Sequence, residues 1–148
     1  MKLALIGYGK MGKAIEKLAI DNGHEVVLTA DSFADLKDLY QDGLAIDVAI
    51  EFSTPEAAFD NVKFCLQNNI PVLSGTTGWL DKLVEIEEIT IAMNGAFFYA
   101  SNFSLGVNMF FKLNKNLAKL LANSKYSFNW SSFSVSKWWG YLFNLYWY

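Results

Sequence analysis

Apolar and polar positions change period in a regular order along the first hundred-odd residues. "LALIGY" is a short uninterrupted apolar run, the pattern of a strand buried on both faces. "MGKAIEKLAIDNG" then repeats apolar residues at helical spacing, with Met11, Ile15, Leu18 and Ala19 on one stripe and Asn22-Gly23 as a stop. "EVVLTAD" reads as a second strand, "SFADLKDLYQDG" as a weak short helix or turn, and "DVAIEF" as a third strand. "STPEAAFDNVKFCLQNN" opens a helix with Thr54 as N-cap, Pro55 at the first helical position and Glu56 in the first turn. "IPVLSG" is a fourth strand, "LDKLVEIEEIT" a helix and "GAFFYA" a fifth strand. "GVNMFFKLNKNLAKLLANS" predicts an amphipathic helix with Val107, Phe110, Leu113, Leu117, Leu120 and Leu121 on its apolar face. Strands that alternate with crossover helices imply a parallel, right-handed, doubly wound α/β sheet in one domain over residues 1–122.

The period is lost from Asn123 onward. Residues 123–148 carry eleven aromatic side chains among 26 residues, with no acid and no clean helical stripe. The expectation is an aberrant aromatic tail: out-of-frame or otherwise foreign sequence, prone to self-association. Composition otherwise excludes more than it assigns. Hydrophobic residues make up 53% of the chain and charged residues 18%, a globular balance far from disorder. The net charge is −3, which suggests no nucleic acid partner, although all 15 acids lie in residues 1–88. There is no arginine, the side chain best suited to forked recognition of phosphate or carboxylate. A lone cysteine, Cys65 in an apolar helical pattern, reads as buried filler and fits a reducing cytoplasm. No window approaches the ~18 apolar residues of a membrane span. One histidine and one cysteine, far apart in sequence, give no metal site.

The chemistry sits after the strands. "GYGKMG" places Gly7, Gly9 and Gly12 as G-x-G-x-x-G between the first strand and first helix, the context of a dinucleotide fingerprint. Gly7 permits a tight turn, Gly9 lets backbone approach a pyrophosphate, and Gly12 allows the helix to pack closely. An ordinary glycine-rich βα turn shares the pattern. Asp31 ends the second strand about 20 residues on, where a carboxylate can accept from both ribose hydroxyls. The next residues, Ser32-Phe33, offer no basic partner for a 2′-phosphate, which favours NADH; Lys10 or Lys13 would supply the charge that NADPH needs. "EFSTPE", "GTTGW" and "ASNFSLGVN" follow the third, fourth and fifth strands, so all these loops emerge at one sheet edge.

"LIGYGKMG", "AIEFSTPEAA", "VLSGTTGW" and "FFYASNFSLGVNMFF" together resemble the N-terminal half of dihydrodipicolinate reductase, or 4-hydroxy-tetrahydrodipicolinate reductase, over about residues 1–122. The resemblance implies a Rossmann-like cofactor domain of a cytoplasmic oxidoreductase in diaminopimelate and lysine biosynthesis, using NADH or NADPH. Carried over by position, the cofactor set is Gly7, Gly9, Lys10, Met11, Gly12, Asp31, Phe52, Gly75, Thr76, Thr77, Ala100, Ser101, Asn102 and Phe103. Gly7 to Gly12 then hold the pyrophosphate, Asp31 the adenosine ribose, and the loops at Gly75 and Ala100 the nicotinamide end.

The same resemblance implies a following sheet domain that grips a cyclic dicarboxylate substrate with a histidine pair, a lysine and a Pro-Ser-Gly-Thr loop, and holds most homo-oligomer contacts. Residues 123–148 show none of these motifs. His24 lies at the amino edge of the sheet, opposite the loops. No catalytic residue is therefore assigned, and the expectation is a chain that binds cofactor without turnover. The rival reading is an NADH-binding sensor or scaffold module in which the tail is a partner surface.

Overall fold

The computed structural model describes residues 1–40 and 43–122. In chain order these are β1 (Lys2–Ile6), α1 (Lys10–Asp21), β2 (Glu25–Ala30), α2 (Phe33–Leu39), β3 (Val48–Glu51), α3 (Pro55–Gln67), β4 (Val72–Ser74), α4 (Leu83–Ala92), β5 (Phe97–Tyr99) and α5 (Leu105–Ala122). The strands form one parallel sheet in the order β2-β1-β3-β4-β5, a doubly wound, Rossmann-like α/β fold. The chain divides into two compact units, one of residues 1–103 with the whole sheet and a second that begins at Ser104 and contains α5. The aromatic tail from Asn123 lies outside the described residues, as does Leu121's side chain.

Local sequence accounts for the helix ends. α1 runs until Asn22, after which Gly23 takes φ 76°, a left-handed stop that glycine adopts without a Cβ penalty. The short α2 is a full helix rather than a turn because Ser32 and Asp35 form a capping box, each side chain bonding the other's backbone amide. α3 starts as expected with Thr54 at the N-cap and Pro55 in its first turn. The Glu56 carboxyl is held below its ordinary range, first by its own backbone amide and then by the Thr54 hydroxyl.

Residues alternate across the strands, so Ala4, Ile6, Leu28, Ala30, Ala49 and Val72 share one face. They pack with Leu36 of α2, Phe59, Val62, Cys65 and Leu66 of α3, and Ile86 of α4. Leu3 and Leu5 point to the other face, where α1 packs on β1 and β2. Leu66 is wholly buried, and Leu66→Ala should cost about 2–5 kcal/mol.

Two apolar stripes behave differently from their periodicity. On α1, Leu18 is 61% exposed, while Gly12 and Ala19 face inward. The small face wins because α1 lies so close that a Cβ at Gly12 would meet the Gly7 carbonyl. On α5 the helix forms, but Phe110, Leu113, Leu117 and Leu120 are all about half exposed or more. Periodicity reports that a face is apolar; it does not supply what covers it.

Candidate functional site

Helices leave opposite sides of the sheet where β1 and β3 lie side by side, because β1 connects to β2 and β3 connects to β4 on the other flank. Ligands of such sheets bind in the crevice this leaves at the carboxyl ends of the strands. The crevice has two ends, built in different ways.

At the first end the chain turns directly from β1 into α1. Gly7 has φ +88°, and a Cβ there would collide with the Phe52 carbonyl oxygen. Its N–H donates to the Ala30 carbonyl at 2.7 Å. Only glycine satisfies both the dihedral and the close approach. Gly9, the N-cap of α1, is different: a Cβ would meet nothing within 4 Å. Among the described residues no atom faces its open side, which is the cradle a backbone-bound pyrophosphate requires. The first turn of α1 has no acid and carries Lys10 and Met11. Asp31 follows β2 on the surface, and its Oδ1 accepts from the Tyr8 N–H at 3.0 Å. The Tyr8 hydroxyl donates to Glu16, while Lys13 lies over its ring at 5.7 Å. That hydrogen bond first, then desolvation and the charges of Glu16 and Asp31, hold the phenol above its ordinary pKa.

At the second end a cleft of about 290 Å³ is lined by Met11, Phe52, Ser53, Pro55, Gly75, Thr76 and Thr77. The Phe52 ring lies against Gly75 so closely that a Cβ at Gly75 would collide with it. Trp79, 2% exposed, fixes the Gly75–Gly78 loop from beneath by donating its indole N–H to the Thr76 carbonyl at 2.7 Å. Phe103 meets Phe52 edge-on at 6.0 Å, and Phe98 at the same distance.

Below this cleft sits Glu51, fully buried at the end of β3. Its Oε1 accepts from the Ser53 hydroxyl at 2.5 Å, the Ser53 N–H at 2.9 Å and the Thr76 hydroxyl at 2.8 Å. Its Oε2 accepts from the Ser74 hydroxyl at 2.5 Å. Asn61 of α3 donates to Ser53 Oγ at 3.0 Å. A carboxylate offers acceptors only, and here every neighbouring hydroxyl points its donor inward. The thiol of Cys65 is pushed up to about 12, mainly by burial and then by the Glu51 charge.

Of the residues expected from sequence, the structure gathers Met11, Phe52, Gly75, Thr76 and Thr77 around the cleft. Gly7 touches Phe52, and Gly12 touches Gly7. Gly9, Lys10 and Asp31 belong to the first end and do not line the cleft. Ala100 joins the edge of β4 through its N–H to the Ser74 carbonyl at 3.3 Å, with Ser101 and Asn102 between it and Phe103. Ser53 and Pro55 line the cleft without having been singled out, and Glu51, Asn61 and Ser74 hold it from below. The available signal was one acid closing the otherwise apolar strand "VAIE". His24 is half-buried before β2, at the amino edge, as its position implies. Among the described residues no group of His, Cys, Asp and Glu could hold a metal, and no helix is long and apolar enough to cross a membrane.

Fold and crevice define a class: a Rossmann-like α/β domain with a glycine-turn ligand crevice at its carboxyl edge. The chain belongs to the family described as "Dihydrodipicolinate reductase, N-terminus", whose model matches residues 1–103. It is 49% identical over 121 residues to 4-hydroxy-tetrahydrodipicolinate reductase of Christiangramia forsetii, covering 82% of this chain and 50% of that protein. The enzyme of the same name from Staphylococcus epidermidis is 34% identical over 127 residues, covering 82% of this chain and 52% of that protein. The chain thus spans about half the length of these curated relatives. Among solved structures, the non-phosphorylated HemR receiver domain of Leptospira biflexa covers 86% of this chain and 98% of its own, with TM-score 0.51 at 15% identity. That likeness is one of fold alone.

Proposed function

We propose that the crevice binds a nicotinamide dinucleotide, NADH in preference to NADPH, and that the chain serves as the cofactor half of a cytoplasmic 4-hydroxy-tetrahydrodipicolinate reductase of lysine biosynthesis. The observation that carries this reading is the Tyr8 N–H to Asp31 Oδ1 bond of 3.0 Å. It ties the glycine turn to the strand-end carboxylate, so the pyrophosphate cradle and a ribose acceptor sit at one fixed spacing. Asp31 is exposed and keeps a second carboxylate oxygen that suits a ribose hydroxyl, whereas a 2′-phosphate beside it meets like charge. Open space at Gly9 and the absence of an acid in the first turn of α1 support the same reading.

When bound, the nicotinamide supplies a hydride. This chain's residues orient it: Gly9 admits the pyrophosphate, Asp31 accepts from the ribose, and Gly75 to Thr77 with Phe52 wall the cleft at the far end. Reduction also needs a proton donor and a grip on the dicarboxylate. The only histidine lies at the opposite edge, so the 148-residue chain binds cofactor without turning over the cyclic substrate. Titration of NADH into the wild-type chain and Gly9→Ala tests the site. Saturable binding that Gly9→Ala abolishes while leaving the fold intact is expected; equal binding by both would place the cofactor elsewhere.

A further inference from the structure

We infer that Glu51 is a positioning residue that sets the nicotinamide end of the crevice, an inference that rests on the cofactor reading above. Glu51 does not line the cleft, and no ligand atom reaches a fully buried side chain. It binds instead the two loops that do. Ser53, in the loop after β3, gives it both an N–H and a hydroxyl. Thr76, in the loop after β4, gives it a hydroxyl. The Ser53 N–H is shared with Thr76 Oγ1 at 2.9 Å, so the two loops are bonded to each other as well as to the carboxylate. Ser74 anchors the second oxygen from β4 itself, one residue before Gly75.

The geometry explains why an acid stands where a buried strand would otherwise be apolar. β3 and β4 are paired with Glu51 opposite Ser74, and the Gly75 N–H donates to the Glu51 carbonyl at 2.9 Å. Beyond that bond the sheet ends and the loops diverge. A glutamine at position 51 keeps one acceptor oxygen but turns an NH2 donor toward the hydroxyls that faced the other, so the buried donors no longer share one carboxylate. The walls Ser53 and Thr76 then lose the reference that holds them a fixed distance apart. Among the described residues no hydrogen bond joins the side chains of the first end to this network; the two ends meet in the packing of Gly7 against the Phe52–Ser53 backbone, and the Asp31–Tyr8 bond lies on the far side of β1. Loss of Glu51 should therefore weaken recognition of the ring and spare recognition of the adenosine half.

The test uses the full chain, the isosteric variant Glu51→Gln, and two ligands, NADH and ADP-ribose, which lacks the nicotinamide. In the wild type NADH binds more tightly than ADP-ribose, the ratio reporting the ring's contribution. In Glu51→Gln the NADH Kd should rise roughly tenfold while the ADP-ribose Kd stays within about twofold, because only one end has lost its preorganisation. The enhancement of NADH fluorescence on binding should fall in parallel, and Glu51→Asp should recover part of both signals. A merely structural role would lower the melting temperature and weaken both ligands alike, or leave their ratio unchanged; either outcome overturns the inference. Should Glu51→Gln fail to fold, Ser74→Ala removes one donor without touching the cleft wall and should shift the same ratio by a smaller factor; an unchanged ratio there also overturns it. Wild type that binds neither ligand defeats the cofactor reading itself, whereas wild type that binds ADP-ribose but gains nothing from the ring defeats only the role of Glu51.

Discussion

The two ends of the crevice each present a carboxylate, and the two are built for opposite tasks. Asp31 is exposed and takes one backbone donor from Tyr8, so it retains acceptor capacity toward solvent. Glu51 is buried and saturated by Ser53, Thr76 and Ser74. An unsaturated surface carboxylate can recognise a ligand; a saturated buried one can only shape what surrounds it. The same contrast separates two glycines with a single residue between them. Gly7 is required by the protein's own packing, whereas no contact among the described residues requires glycine at position 9.

The largest effect expected from this contrast is on folding. Gly7→Ala forces a left-handed dihedral on an L side chain and drives its Cβ into the Phe52 carbonyl. It should cost about 3 kcal/mol or more, combining the left-handed penalty with backbone overpacking. Urea denaturation measures it, and a wild-type midpoint would contradict the geometry.

A second effect belongs to the Glu51 end and depends on pH. The Cys65 thiol titrates near 12 in the folded chain, against 9.0 for an unperturbed thiol, so the folded state holds this proton more tightly. The contribution is constant below about pH 9 and is lost as pH rises from there toward 12, at up to about 1.4 kcal/mol per pH unit. Cys65→Ala carries a fixed cavity cost but no thiol. The stability gap between wild type and this variant should therefore shrink between pH 8 and pH 10.5; a constant gap would show that the thiol is not held as buried as it looks.

Asp31→Ala addresses the other end. NADH affinity should fall by about 1–3 kcal/mol, the range for charge-assisted hydrogen bonds left unmade. The unfolding midpoint should hardly move, because the side chain is exposed. A large loss of stability with little loss of affinity would reverse the roles assigned to the two carboxylates. The smallest effect is that of Gly9→Ala on stability, below about 1 kcal/mol, the difference between glycine and alanine at an N-cap. A cost as large as that of Gly7→Ala would erase the contrast between the two glycines.

The glycine turn and the walls of the second end were legible in the sequence, and the Glu51 network beneath those walls was not, for a physical reason. A glycine turn is local: Gly7, Gly9 and Gly12 lie in six residues, and their spacing carries the geometry with it. Asp31 is legible because a strand end in a parallel sheet has one place to go. The Glu51 network joins residues from 51 to 76 through side chains that each look like ordinary turn chemistry, Ser53, Asn61, Ser74 and Thr76. Their convergence depends on the β3–β4 register, which sequence pattern does not specify at single-residue resolution. Strand order shows the same limit. Alternation predicted a doubly wound parallel sheet, but only the structure puts β3 beside β1 and so locates the crevice. The helix α5 was legible as an element from its period, which says nothing of how far Leu113 and Leu117 on its apolar face are covered.

The most direct test of the central claim is a pair of calorimetric titrations of the full chain, one with NADH and one with NADPH, at the same ionic strength. The account predicts saturable NADH binding and an NADPH Kd at least about tenfold weaker, since the 2′-phosphate must sit beside Asp31 with no arginine to offset the charge. Tighter binding of NADPH, or no binding of either cofactor, would contradict it.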